Sequence, residues 1–246
     1  KLLVVADGGR SGLLQQLGIG LESHDYQQSA LVTNVTSSRP HQQTAYERFT
    51  DSGALALLPL PNISREPQYS LVWTLANEKA VSTGKLSEQA FLAELQQQIG
   101  YRCGKFLRAG TPVAFPLSLT LVNEQVRPGL VVLGNAAHTL HPVAGQGYNL
   151  SLRDAMTLAE LINRVTTSDE LQSLELVREY MKRQQSDQQR VIKASDGLIK
   201  VFGSKSWLIR HGRQLGLIAL NLLPPAKQQF ADMAMGVSGV AADWKG

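Results

Sequence analysis

The residues best suited to chemistry lie in one run from Gly129 to Leu150, GLVVLGNAAHTLHPVAGQGYNL. Leu130 to Leu133 form an unbroken apolar stretch, the pattern of a parallel strand covered on both faces. Gly145 and Gly147 then let backbone approach a ligand closely. A helix beginning near Tyr148 aims unpaired N–H groups and the positive end of its dipole at the same place. The chemistry implied is the holding of a large, electron-rich or anionic group. A second run, Lys1 to Leu14 (KLLVVADGGRSGLL), reads as a buried strand, a tight turn at Asp7-Gly8 and a helix entered near Ser11.

Other reactive side chains point to less. His138 and His141 sit three apart in a loop containing Pro142, with no third ligand nearby, so no metal site is read there. Cys103 is the sole cysteine, which excludes an intrachain disulfide and reads as a buried structural thiol in a reducing compartment. The net charge is +4, but its densest group, Arg178, Lys182, Arg183, Arg190 and Lys193, alternates with Glu175, Glu179 and Asp187. That pattern reads as a solvated helix face, with an anionic membrane surface as the alternative. No zinc spacing, recognition helix or aromatic platform accompanies the charge, so nucleic acid is not an expected partner.

The elements that must position these motifs follow from periodicity. In a chain of 246 residues, 43% of them hydrophobic, a sizeable core can be buried in one large or two modest domains. Strands are expected over Ser29 to Ser38, Thr44 to Thr50, Ala54 to Leu60 and Tyr69 to Leu75, bounded by turn residues. Four such segments without long helices between them suggest an antiparallel sheet inserted into an α/β domain. Ser87 caps a helix reaching Ile99 and stopped by Gly100, and Pro112 and Pro116 mark the return to the first domain.

The helix after Tyr148 carries Leu158, Leu161, Ile162 and Val165 on one face. Asp154 reads as a helix-start carboxylate stabilised by the dipole. Beyond Thr166 to Asp169 the chain is helical, from Leu171 to about Phe202 and from Trp207 to Leu223, ended by Pro224-Pro225. The Trp207 helix reads as docking on the first domain, with membrane contact as the alternative because interfacial helices share its mixture of Trp, Leu and basic residues.

The Gly129 to Leu150 run resembles the second flavin-binding motif of the FAD-dependent aromatic-ring hydroxylases, most closely their ubiquinone-biosynthesis branch. Gly134-Asn-Ala-Ala is similar to the 2-polyprenyl-6-methoxyphenol hydroxylase type, and Asp7-Gly8 with Arg10 and Ser11 resembles the family's Asp-Gly motif. The hairpin region from Ala45 to Leu60 resembles the family's substrate domain. The resemblance implies an α/β fold with an inserted antiparallel sheet, the p-hydroxybenzoate hydroxylase-like FAD-binding fold, here incomplete. No GxGxxG follows a strand, and the family carries that turn ahead of the Asp-Gly motif. The chain, opening on Lys1, is therefore expected to be the C-terminal portion of a longer enzyme, shortened by truncation or proteolysis. Residues 1–25 and 116–166 are expected to form parts of the FAD domain, 26–115 a substrate domain, and 167–246 a helical region.

By the same resemblance, Asp7, Gly8, Arg10, Asn135, Ala136, Pro142, Gly145, Gln146, Gly147, Asn149 and Leu150 are expected to contact FAD. Pro142 is expected to border the reactive side of the flavin ring. Asn135 stands where Asp is commoner, and an amide can both accept from and donate to a ribityl hydroxyl. Phe49, Leu57 and Trp73 are the candidate substrate contacts, weighed against plain core packing. The activity implied is ring hydroxylation of a polyprenyl phenol, with NAD(P)H as co-substrate and O2 carried as a flavin C4a-hydroperoxide; no catalytic side chain is named, since the cofactor carries the chemistry. A ubiquinone-biosynthesis complex and peripheral contact at the inner membrane are the implied partners, in the cytoplasm. Two alternatives stay open: a flavin-fold reductase acting on isoprenoid lipids, and a non-catalytic lipid-binding or assembly module.

Overall fold

A computed structural model of the chain describes residues 1–9, 11–50, 53–61, 66–204 and 206–234. The strands are β1 (Leu3–Val5), β2 (Leu21–Ser37), β3 (Tyr46–Thr50), β4 (Gly53–Pro59), β5 (Gln68–Ala76), β6 (Phe106–Ala109), β7 (Val113–Val122), β8 (Val126–Arg127), β9 (Leu130–Val132) and β10 (His138–Thr139). The helices are α1 (Leu13–Gln16), α2 (Asn77–Gly84), α3 (Glu88–Ile99), α4 (Gln146–Asn163), α5 (Leu174–Gly203), α6 (Trp207–Leu222) and α7 (Pro224–Ala234). The class is the expected one, α/β with an inserted antiparallel sheet. The chain divides into two compact units, one of residues 1–24, 118–200 and 206–246, the other of residues 25–117 and 201–205.

In the first unit a small sheet runs in the order β1-β9-β8, with β1 parallel to β9. Every residue of β9 is buried because its two faces are covered by different layers. Leu130 and Val132 pack with Val5, Leu14 and Ile19. Val131 and Leu133 face Leu158 and Leu161 of α4 and Leu176, Val177 and Tyr180 of α5. A strand covered on both sides must be apolar throughout, which is why this stretch shows no alternation.

The second unit is built on antiparallel pairing through β2, β5, β4 and β3. Leu55 lies opposite Trp73 and Leu57 opposite Leu71, while Leu31 pairs with Trp73 from the other side. Alternate residues of a strand share a face, so Leu31, Leu55, Leu57, Leu71, Trp73 and Leu75 form one apolar layer under Phe91, Leu95 and Ile99 of α3. The ends of α3 are set locally. Ser87 Oγ accepts the Ala90 N–H at 3.3 Å, and Gly100, at φ 75°, donates its N–H to the Gln96 carbonyl. The Gln96 amide then donates to the Gly100 carbonyl at 2.6 Å and accepts the Phe106 N–H at 2.9 Å, tying the helix end to β6.

Several elements depart from expectation for physical reasons. β2 starts at Leu21, not Ser29, because its first eight residues are largely exposed and carry no inside-outside alternation. β7 runs through Pro116, which lies outside the two residues, Thr120 and Leu121, at which β10 pairs with it. α2 was not foreseen, α5 begins at Leu174 after a short 3-10 turn at Glu170–Gln172, and Pro224-Pro225 opens α7 as well as ending α6. Proline suits a first helical turn, where no N–H is needed. Among the described residues the apolar side chains of α6 are largely uncovered, Trp207 being 67% exposed and Leu222 72%. No helix among the described residues is long and apolar enough to cross a membrane.

Leu95 has no exposed surface and stands at the centre of the α3–sheet layer. Leu95→Ala is expected to cost about 2 to 5 kcal/mol, read as a lowered midpoint of urea unfolding with an unchanged slope. A loss below about 0.5 kcal/mol would place Leu95 outside the core.

Candidate cofactor cleft

Pairing of β1 with β9, Leu3 opposite Leu130 and Val5 opposite Val132, delivers the chain that follows each strand to the same end of the small sheet. After β1, Asp7 closes a tight turn: its Oδ1 accepts the Gly9 N–H at 2.8 Å and its Oδ2 accepts the Ser11 hydroxyl. The Ser11 hydroxyl, and then the Gly9 N–H, hold the Asp7 carboxyl below its usual value. Gly9 adopts φ 73°, and a Cβ there would lie 3.7 Å from the Ala136 Cα and the Asn135 carbonyl. An added Cβ would thus meet the second motif at ordinary van der Waals distance, and it is the left-handed φ that a larger residue at position 9 would strain.

After β9, a 3-10 turn at Gly134–Ala136 leads through β10 to a loop that reaches α4 at Gly145. Gly145 has φ 60°, the left-handed conformation that turns the chain into the helix. Along α4 two stripes at spacing four diverge. Gln146, Leu150, Asp154 and Leu158 are buried, whereas Gly147, Ser151 and Ala155 line a cleft of about 590 Å³. Its other walls are Ala6 and Gly8 from the first turn, Leu133 to Asn135 from the second, and Leu140, His141 and Pro142 from the loop.

Of the residues expected to contact the cofactor, Gly8, Asn135, Pro142, Gly145 and Gly147 lie on this cleft. Asp7 holds the turn beside it. Ala136, Gln146 and Leu150 are buried, Ala136 and Leu150 almost completely, and Asn149 is partly exposed. Arg10 lies outside the described residues. Ser151 and Ala155 were not foreseen, although their spacing of four from Gly147 was the available signal. Tyr148, 76% exposed at the mouth, was read only as the start of the helix. Of the candidate substrate contacts, Leu57 and Trp73 have no exposed surface and serve the sheet core, and Phe49 stacks on Phe202 with ring centres 3.8 Å apart.

His141 is 3% exposed, and its Nδ1 accepts the Val143 N–H at 3.2 Å. Burial lowers its pKa from 6.5 to about 4, so the ring is neutral at pH 7 with its proton on Nε2. Asp154 is not the helix-start carboxylate expected. It lies eight residues past Gln146, far beyond the first turn, has no exposed surface, and meets His138 Nε2 at 2.6 Å. Burial raises the Cys103 thiol above its usual value, as befits an unreactive core sulfur.

These glycines, the helix start and the neutral lining suit a flavin. A Cβ added at Gly8 or Gly145 would meet nothing within 4 Å, and one at Gly147 would meet only the Leu140 Cβ at 3.9 Å, so the space beside the backbone is open to a ligand.

Residues 1–195 match the family described as an FAD binding domain. The ubiquinone hydroxylase UbiL of Rhodospirillum rubrum is 33% identical over 96% of this chain and 54% of its own length. The 3-demethoxyubiquinol 3-hydroxylase of Escherichia coli is 31% identical over 96% of this chain and 60% of its own. The chain thus spans just over half the length of the curated relatives it matches. Among solved structures, the p-nitrophenol 4-monooxygenase PnpA of Pseudomonas putida superposes with a TM-score of 0.72 at 15% identity, over 98% of this chain and 60% of that one, a likeness of fold.

The titration of His141 gives a testable consequence. Between pH 6.5 and about 4 the unfolded chain takes up a proton that the folded chain refuses, so this group lowers stability as pH falls through that window and adds no further change below it. Its share is roughly 3 kcal/mol at pH 4. His141→Asn keeps an acceptor for the Val143 N–H without the titration. Unfolding free energies measured from pH 7 to pH 4 are expected to fall less steeply in the variant by about that amount; parallel curves would show that His141 is not buried neutral.

Proposed function

The chain belongs to the FAD binding domain family, and from that premise we propose that it forms the flavin cleft and substrate domain of an FAD-dependent monooxygenase. The reaction we assign is hydroxylation of the ring of a polyprenyl phenol in ubiquinone biosynthesis, with NAD(P)H and O2 as co-substrates. The observation that carries the reading is the convergence of the Asp7–Gly9 turn, the Gly134–Asn135 turn and the α4 start on one glycine-floored cleft. The names of the two hydroxylase relatives support the substrate class.

FAD, when bound, supplies the electron transfer and oxygen activation that these side chains lack. The chain's own residues have three tasks. Backbone N–H groups at the α4 start, beside Gly145 and Gly147, would donate to the electron-rich edge of the flavin, where fixed dipoles are effective because they need no reorganisation. The Asn135 amide would exchange hydrogen bonds with the hydroxyls of the ribityl chain. Leu133, Leu140 and Pro142 present apolar surface that limits water, and the neutral His141 adds no competing cation. Adenylate recognition has no GxGxxG turn in this sequence to rely on.

Two measurements test this reading. Gly147→Val would place a branched side chain on the cleft wall, where a Cβ has room but a flavin would not. In the full gene product carrying this sequence, it is expected to abolish FAD binding while the far-ultraviolet dichroism stays unchanged. Binding of FAD with unaltered affinity would mean that the cleft holds something else.

The second measurement is lipid extraction and mass spectrometry of cells lacking the gene. A polyprenyl phenol precursor is expected to accumulate and ubiquinone to fall short. Normal ubiquinone in a strain without a redundant hydroxylase would refute the substrate class. Consumption of O2 with the accumulated phenol distinguishes a hydroxylase from a flavin reductase.

A further inference from the structure

Behind the cleft lies a buried polar cluster that the cofactor reading leaves unused. Asp154 has no exposed surface, yet its Oδ2 meets His138 Nε2 at 2.6 Å and its Oδ1 accepts the Gln188 amide at 2.9 Å. The Tyr180 hydroxyl also hydrogen-bonds to it, and is driven above the ordinary tyrosine value by burial and then by the charge of Asp154. The Gln125 amide reaches the Tyr180 oxygen at 3.4 Å and the Val132 carbonyl at 3.2 Å. Asp154 thus has partners on both oxygens, and the His138 tautomer that donates to it carries its N–H at Nε2. His138 is 3% exposed, and its Nδ1 has no partner among the described residues, so the ring's one polar bond is to Asp154.

The places of these residues along the chain give the cluster its meaning. Val132 ends β9 just before the Gly134–Asn135 turn, His138 stands in β10 where the cleft loop begins, and Asp154 lies on α4, which begins where the loop ends. The cluster therefore joins β9, β10 and α4, three of the elements around the cleft, while α5 contributes Tyr180 and Gln188 from behind. A buried charge is costly and adds little net stability even when paired, so its value lies in selecting one arrangement.

We propose that Asp154 and His138 are positioning residues for the cofactor cleft: their buried hydrogen bond ties β10 to α4 and holds the loop of residues 140–145 in the one arrangement that admits the flavin. This rests on the reading that the cleft binds FAD. A residue that merely fills the core would affect folding alone, whereas a positioning residue must also affect the ligand at matched stability.

The experiment titrates FAD into the full gene product and records the visible flavin spectrum and the melting temperature of each apo-protein. Asp154→Asn keeps the shape but loses the charge. His138→Leu removes the bond, and His138→Gln can return an amide N–H to the place of Nε2–H. Leu158→Ala, which hollows the core under the same helix, serves as the stability control. Asp154→Asn and His138→Leu are expected to weaken FAD binding by about tenfold or more and to shift the flavin band. His138→Gln is expected to restore affinity to within about threefold, and Leu158→Ala to bind as wild type does despite a comparable fall in melting temperature. The proposal is overturned if Asp154→Asn or His138→Leu binds no worse than Leu158→Ala, or if His138→Gln is as weak as His138→Leu. Should Asp154→Asn not fold, the two His138 variants decide. Failure of the wild type to bind FAD would instead remove the cofactor reading itself, and this inference with it.

Discussion

Leu3 opposite Leu130 and Val5 opposite Val132 is the pairing on which everything at the cleft depends. It joins segments far apart in the chain, so its formation bears the entropic cost of closing a long loop before any local reward. The reward comes from two layers at once, because β9 buries Leu130 and Val132 on one side and Val131 and Leu133 on the other. The register matters as much as the pairing. A slip of one residue would put the Asp7–Gly9 turn out of step with the Asn135–Ala136 backbone beside it, and would exchange the two faces of the strand.

The packing of α4 against α5 shows a second way of fixing register. Arg153 meets Asp187 at 2.7 Å, Thr157 bonds to Gln184, and Glu160 meets Arg183 at 3.1 Å. Numbers that rise along one helix and fall along the other describe an antiparallel pair, with a polar stripe beside the apolar stripe of Leu158, Leu161, Leu176 and Val177. Apolar contacts alone tolerate sliding, since one leucine fits a groove much as another does. Directional pairs at three successive levels do not, and this specificity is the better-attested use of buried ionic groups. Because Asp154 lies between Leu150 and Leu158 on the same helix, the register that aligns α5 also brings Gln188 and Tyr180 to it.

Much of this was legible where one residue type has one physical use. Ser87 and Gly100 had to bound α3, and the turn residues around Ala54 to Leu60 and Tyr69 to Leu75 had to bound strands, which the structure pairs in one layer. What escaped reading depends on distant partners. Asp187 and Arg183 stand in sequence within an alternating run typical of a solvated face, because nothing near them announces α4; yet Asp187 is 3% exposed. Asp154 was assigned to the dipole for the same reason, its true partner His138 standing across the loop. The first half of β2 and the Pro116 stretch of β7 gave no strand signal, since exposure removes alternation and proline opposes it.

The cleft's electrostatics follow from three residue choices that act in the same direction. Asn135 brings an amide where an aspartate would bring a full negative charge. His141 is held neutral by burial, and its Nδ1 is occupied by the Val143 N–H. Asp7, in the turn beside the cleft, spends both oxygens on Gly9 and Ser11. Among the described residues that line the cleft, none then carries a formal charge, and the field inside is left to backbone dipoles and the start of α4. Such a field is fixed by the fold and not by the titration of any side chain, so it depends on how firmly the loop between β10 and α4 is held. Selectivity in a cleft of this kind comes from shape and from the aim of N–H groups, which returns the burden to the pairing of β1 with β9 and to the residues that fasten the loop behind it.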